Sequence, residues 1–131
     1  MKLTAYSRNR ILKTFEHWHV PKDFADPMYN YLVFGFSPGS CFTAVLANDF
    51  NGAIRSSHPG NTVEALKALS GWIQESVPLA ARGNYGVVLR WTLLDSVERR
   101  SILEEHGLIH TEQDEILLTL KGTSTHEPVL Y

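Results

Sequence analysis

Proline and glycine interrupt the first 80 residues at short intervals, and this punctuation limits the helices that can form there to a few turns each. Pro21, Pro27, Gly35, Pro38 and Pro78 stand where a helix is expected to begin or end. They also divide the most apolar stretch, so no apolar run approaches the roughly 18 residues of a membrane-spanning helix. The sequence therefore predicts several short helices and no transmembrane segment.

Length and composition indicate one globular domain over residues 1–131. The chain is near the commonest domain size, and 44% hydrophobic with 20% charged residues is typical of a sequence that folds. Cys41 is the only cysteine and cannot form an intramolecular disulfide, while the first ten residues lack the apolar segment of a signal peptide. We therefore expect a cytoplasmic protein without a membrane partner.

Two helices are predicted before Gly35, because apolar residues recur there every three or four positions. The first covers residues 7–18 approximately and ends before Pro21. In the second, Asp26 is a typical N-cap, Pro27 fits the first helical position and Gly35 fits the stop.

Two further helices are predicted up to Pro78, which closes the helical part of the chain. Ser37 and Pro38 repeat the start signal, and one apolar stripe then continues over residues 42–54. Asn61 and Glu64 have the spacing of a capping box at the start of the other helix.

Asp49 lies on the apolar stripe of the third predicted helix, three residues after Leu46. A carboxylate at such a position is expected to be partly buried, and a buried carboxylate needs a hydrogen bond or an opposite charge. We therefore expect Asp49 to cap a neighbouring helix or to meet an arginine. A direct functional role is the alternative.

The pattern changes after residue 84. Residues 85–91 contain a β-favouring run, which favours a strand, with a helix as the close alternative. Asp95 or Ser96 can cap a helix that Gly107 ends. Two more strands are expected at residues 108–111 and 116–120, within a mixed part over residues 85–122, and a tail follows from residue 123. The fold class predicted is α+β, mostly helical with a small C-terminal antiparallel sheet, and an all-α fold is the alternative.

Candidate metal ligands do not come together in this sequence. His17 and His19 are two positions apart and so point to different sides of a helix, while Gly107 separates His106 from His110. No cysteine pair or acidic cluster completes a ligand set. We therefore expect no metal and no other cofactor.

Catalytic motifs are not recognised either. Cys41 follows a predicted helix start, but no signature of a nucleophilic cysteine surrounds it. Pro38-Gly39-Ser40 lacks the glycine spacing and the lysine of a phosphate-binding loop. We therefore expect that the protein is not an enzyme.

A first resemblance lies within residues 24–72, less than half of the chain. Pro38 to Phe42, the pair Asn48-Asp49 and the later Trp72 are similar to a pattern in small uncharacterised proteins of tailed bacteriophages. The resemblance implies a phage or prophage source, and therefore a location in the cytoplasm of a bacterial host. It also implies roles of the kind such proteins play, namely binding and inhibiting a host protein, or regulation.

A second resemblance covers residues 96–122. A predicted helix followed by two strands around an acidic turn resembles the recognition helix and wing of winged-helix DNA-binding domains. It implies DNA contacts by Arg99 and Arg100. Residues 98–115 hold six carboxylates, however, and a groove-facing helix needs basic and amide side chains, so nucleic acid is the less favoured partner.

We therefore expect a non-enzymatic interaction protein that binds and inhibits a host protein, of which a defence-system inhibitor of the anti-CRISPR kind is one example. A winged-helix-like DNA-binding regulator is the alternative. Trp18, Tyr29 and Trp91 lie at element ends or off the apolar stripes. Because exposed aromatic residues are enriched at interface centres, these three are the predicted partner-binding residues.

Overall fold

The structure is a computed structural model that describes residues 5–57 and 61–108. These residues form seven α-helices and no strand, joined by short loops and two single-turn 3-10 helices at Lys22–Phe24 and Leu79–Ala81. In chain order the helices are α1 (Ala5–Trp18), α2 (Ala25–Phe34), α3 (Ser40–Leu46), α4 (Phe50–Ser56), α5 (Val63–Ser76), α6 (Tyr85–Leu93) and α7 (Ser96–Glu105). The predicted α+β class is wrong for the described residues, which are all-α. The strands predicted at 108–111 and 116–120 lie outside them, except for residue 108.

Helix α2 is the centre of the core, and six of its ten residues are buried. It packs against α1, α6 and α7, while α1 also packs against α5, and α3 packs against α4, α5 and α6. Phe15 of α1 meets Trp72 of α5 edge to face, with ring centroids 4.8 Å apart. The core therefore joins the two ends of the described chain through α2.

The single helix predicted over residues 42–54 is two helices in the structure. Asn48 has a φ of 63°, in the left-handed region, and the chain turns there between α3 and α4. Asp49 is the N-cap of α4, and its Oδ1 accepts a hydrogen bond from the Gly52 N–H at 3.0 Å. The expectation that Asp49 caps a helix is confirmed, but Asp49 does not continue an apolar stripe because the helix is interrupted at its own position.

Residues 85–91, predicted as a strand, belong to α6. Asn84 is the N-cap, with its side-chain oxygen accepting from the Val87 N–H at 2.9 Å. Val88 and Trp91, one helical turn apart, are the buried residues of this helix. β-propensity mostly reflects packing on a sheet surface, and packing against α2 and α3 favours a helix instead.

Three predicted helix starts are displaced by one residue or more. α3 begins at Ser40 with Gly39 as its N-cap, so Ser37 and Pro38 precede the helix. α2 begins at Ala25, directly after a 3-10 turn, so Asp26 lies inside the helix and is not its N-cap. The N-cap of α5 is Thr62 rather than Asn61. The start of α7 after Asp95 is confirmed, since Asp95 accepts from the backbone N–H two residues later at 2.6 Å.

Candidate functional site

Helix α6 carries large apolar residues on both of its sides. Val88 and Trp91 are 3% and 0% exposed, whereas Tyr85, Leu89 and Leu93 are 51%, 61% and 76% exposed. Residues four apart lie on the same side of a helix. Tyr85, Leu89 and Leu93 therefore form one row on the outside of α6, which we call the α6 face.

The segment that follows α2 borders this face on one side. Gly35 ends α2 with a φ of 71°, and a Cβ at this position would lie 2.8 Å from the guanidinium carbon of Arg99. The turn therefore needs glycine at position 35, because its backbone is left-handed and because the Arg99 side chain lies too close for a Cβ atom. It leads to Phe36, which is 57% exposed, and then to Pro38 beside α6.

An apolar cavity of about 310 Å³ lies between this segment and α6. It is larger than a single aliphatic or aromatic side chain. It is lined by Ser37, Pro38, Thr43, Tyr85, Val88, Leu89 and Thr92. Because the α6 face and the cavity share Tyr85 and Leu89, the two form one continuous surface.

A polar cavity of about 490 Å³ adjoins the apolar one, and Tyr85 lines both. The Tyr85 hydroxyl donates to Asp49 Oδ2 at 2.6 Å, while Asp49 Oδ1 accepts from Gly52. These two bonds, that of Tyr85 first, lower the pKa of Asp49 despite some desolvation, and Arg55 lowers it further. The same hydroxyl-carboxylate bond raises the pKa of Tyr85. The edge of the α6 face therefore holds an ionised carboxylate at neutral pH.

Trp18, one of the predicted partner-binding residues, borders a separate cavity of about 750 Å³ between the end of α1 and the first half of α5. Its indole lies against Gly71, where a Cβ would come within 2.5 Å of the ring. The indole N–H donates to Glu75 Oε2 at 2.5 Å. Trp18 is thus half-buried and held by α5, with part of its ring facing an open groove.

The other two predicted partner-binding residues, Tyr29 and Trp91, are core residues. Both are 0% exposed. The Trp91 indole N–H donates to the backbone oxygens of Tyr31 and Leu32 at 3.1 and 3.2 Å, which ties α6 to α2. In this fold neither aromatic ring offers a surface to a partner, because both rings are packed inside the hydrophobic core.

Arg99, predicted as an alternative DNA contact, is also buried, with 6% exposure. Its guanidinium donates to the backbone oxygen of Val33 at 3.3 Å, to that of Trp91 at 3.5 Å and to that of Leu94. Burial lowers its pKa. Arg99 therefore closes the C-terminal ends of α2 and α6 and is not available to a phosphate. Arg100 is half-buried on α7, and the predicted wing falls outside the residues described, apart from residue 108.

Over residues 5–57 and 61–108, no group of three His, Cys, Asp or Glu side chains is arranged to hold a metal ion. No helix in the same part is long and apolar enough to cross a membrane. The Cys41 thiol is half-buried, donates to the Ala53 oxygen at 3.4 Å, and has its pKa raised by burial. Raising the pKa of a thiol reduces the thiolate that reacts as a nucleophile.

Sequence reasoning missed the α6 face because it assigned residues 85–91 to a strand. In a strand, Tyr85 and Leu89 would share a side with residues 87 and 91, so no exposed row would be expected. Asn84 is the sequence feature that indicates a helix here, because asparagine is a preferred N-cap residue. The four-residue spacing of Tyr85, Leu89 and Leu93 would then have indicated a second apolar side.

Comparison of the chain with protein-family models, with curated proteins and with solved structures finds no match. The resemblances to phage proteins and to winged-helix domains therefore stay predictions.

Proposed function

We propose that this protein acts by binding another protein through the α6 face and the apolar cavity beside it, and not by catalysis. The observation that supports the proposal is the row formed by Tyr85, Leu89 and Leu93, each more than half exposed. Exposed apolar side chains are unremarkable singly, but a contiguous patch with a polar rim is typical of an interaction site. Phe36 and Pro38 extend this patch across the cavity.

The proposed binding surface consists of the projecting α6 face and the apolar cavity beside it. A partner helix can lay its apolar side along Leu89 and Leu93 and insert one side chain between Pro38 and Val88. Removing apolar surface from water contributes about 25 cal/mol per Å² to such an association. The polar cavity at Tyr85 lies at the rim, where hydrogen bonds add orientation more than affinity.

The narrower proposal is that the bound protein belongs to a bacterial host and is inhibited by the binding. The similarity of residues 38–49 to phage proteins supports it. In that segment Pro38 lines the apolar cavity and Asp49 lines the polar one. The residues that resemble the phage pattern and the surface proposed for binding therefore overlap.

Capture from a bacterial lysate by the immobilised full-length chain tests the proposal. Leu89→Asp places a charge at the centre of the α6 face and should abolish capture of the bound protein. Val63→Asp, at a half-exposed position of α5 outside the face, is the matched control and should retain it. Both variants should keep the circular dichroism spectrum and melting temperature of the wild type. A protein captured equally well by wild type and Leu89→Asp would contradict the proposal.

A further inference from the structure

The charged groups around the α6 face differ in whether their side chains already have hydrogen-bond partners. Arg90 on α6 and Arg55 at the polar cavity are exposed, and in the described part of the chain neither makes a hydrogen bond or a salt bridge with another residue, although the charge of Arg55 acts on nearby Asp49. The carboxylates near the two ends of the face, Asp49 and Asp95, are both occupied as N-caps, of α4 and α7 respectively.

The rim of the α6 face, formed by these four residues, therefore offers unused hydrogen-bond donors to an added carboxylate but few unused acceptors to an added cation. Backbone N–H groups and the positive end of a helix offset the charge of a capping carboxylate. An unpaired guanidinium keeps five donors that match a carboxylate. At 100° per residue, Arg90 projects on the side of the α6 face away from the apolar cavity, whereas Arg55 lies on the cavity side, next to Tyr85. The two cations therefore flank the apolar row.

We infer that the α6 face accepts an acidic amphipathic helix of a partner protein. Its apolar side chains would cover Leu89 and Leu93, and its carboxylates would pair with Arg90 and Arg55. This inference rests on the proposed function and specifies the partner. A second copy of the chain matches less well, because two antiparallel α6 helices related by a two-fold axis at Leu89 would place Arg90 beside its own symmetry mate.

A display library of helical peptides tests the charge preference. The peptides carry fixed leucines at positions i, i+4 and i+8, and Glu, Gln or Lys at the flanking positions. The immobilised full-length wild type should enrich Glu over Lys, whereas the double variant Arg55→Glu with Arg90→Glu should enrich Lys over Glu. Lys67→Glu, a charge reversal at an exposed position of α5, is the matched control and should keep the preference for Glu.

The expected size of the effect follows from exposed ion pairs. Each pair should change the dissociation constant of an enriched peptide by roughly two- to fivefold, and the preference should weaken as salt is added. Enrichment of Lys by the wild type, or no preference for charge, overturns the inference. So does an acidic peptide whose binding is unchanged by Leu89→Asp.

Two other occupants of the face would give different results. A second copy would produce concentration-dependent sedimentation of the wild type that Leu89→Asp abolishes. The chain's own residues 112–120 also combine acidic and apolar residues. If they occupied the face, Leu117→Asp with Leu118→Asp in the full chain should tighten binding of the acidic peptide about tenfold or more by removing a tethered competitor. Either result overturns a partner protein as the occupant.

The two proposals can fail separately. Lysate capture that depends on Leu89, together with a library result lacking charge preference, would reject only the acidic partner. Lysate capture that does not depend on Leu89 would reject the α6 face itself, whatever the library returns.

Discussion

Large apolar residues lie on both sides of α6, but those on the inner side are buried in the core and those on the outer side are exposed. On the inner side, Trp91 is fully buried and its indole N–H has two backbone acceptors on α2. On the outer side, Leu93 is 76% exposed, although it lies only two positions further along the helix. The inner side therefore supplies most of the stabilisation that α6 gives the fold. The outer side remains exposed and available for binding another protein. Substitutions on the two sides should change different measurements.

The largest effect is expected when Trp91 is replaced by alanine and compared with Leu93→Ala. Trp91→Ala leaves a cavity in a closely packed core and should lower the free energy of unfolding by about 3–5 kcal/mol. Leu93→Ala removes an exposed side chain and should change it by no more than about 0.5 kcal/mol. Urea denaturation at neutral pH measures both values. Equal losses in the two variants would show that the outer side of α6 is packed after all.

A second, smaller loss of stability is expected at Arg99, which joins the inner side of α6 to α2. Arg99→Met keeps an unbranched side chain but removes the donors to the backbone oxygens of Val33 and Leu94. Leaving buried acceptors unsatisfied should destabilise the protein by about 1–3 kcal/mol.

Arg100→Met is the matched control for Arg99→Met, because Arg100 is the next residue of α7 and makes no hydrogen bond to another described residue. Its stability should stay within about 0.5 kcal/mol of the wild type. If the two variants lose the same stability in urea denaturation, the guanidinium of Arg99 is not what holds the ends of α2 and α6 together.

The helices that could be predicted from sequence are those whose periodicity and caps agree. α1, α2, α5 and α7 were predicted to within a few residues. The break between α3 and α4 was not, because the apolar spacing of residues 42, 45 and 46 continues in register at 50, 53 and 54. The interruption depends on a left-handed Asn48 and on Asp49 accepting from Gly52, neither of which disturbs the hydrophobic pattern.

The binding surface was less predictable than the fold because exposure depends on which helices cover a residue. Trp18 and Trp91 both lie at or near helix ends in the sequence, yet α2 covers the second completely while α5 only supports the first from one side. Likewise, Arg99 and Arg100 are adjacent, and only the position of α2 and α6 decides which is buried. Composition and spacing contain no information on these tertiary contacts.

The smallest expected effect is on the polar edge of the outer side, where Tyr85 meets Asp49. A carboxyl group whose pKa is lower in the folded state stabilises the fold above its unfolded pKa of about 3.9, and this contribution is lost as the pH falls through the lowered pKa. The Tyr85 hydroxyl is the main cause of the lowered pKa of Asp49. When the pH is lowered below about 5, the thermal unfolding midpoint of Tyr85→Phe should therefore fall by less than that of the wild type.

The matching control is Asp49→Asn, which removes the titrating group, so adding Tyr85→Phe to it should leave the acid sensitivity unchanged. Thermal unfolding followed from mildly acidic pH to below the lowered, folded-state pKa of Asp49 compares the four proteins. The wild type and Tyr85→Phe should differ most at the upper end of this range and converge at its lower end, because Asp49 becomes protonated there in both. Because the pair is exposed to solvent and the Gly52 N–H still supports the carboxylate, the difference should be far smaller than that caused by Trp91→Ala. Identical acid sensitivity of the wild type and Tyr85→Phe would mean that the hydroxyl does not hold Asp49 in its charged form, and that this hydrogen bond at the polar edge of the outer side adds no pH-dependent stability.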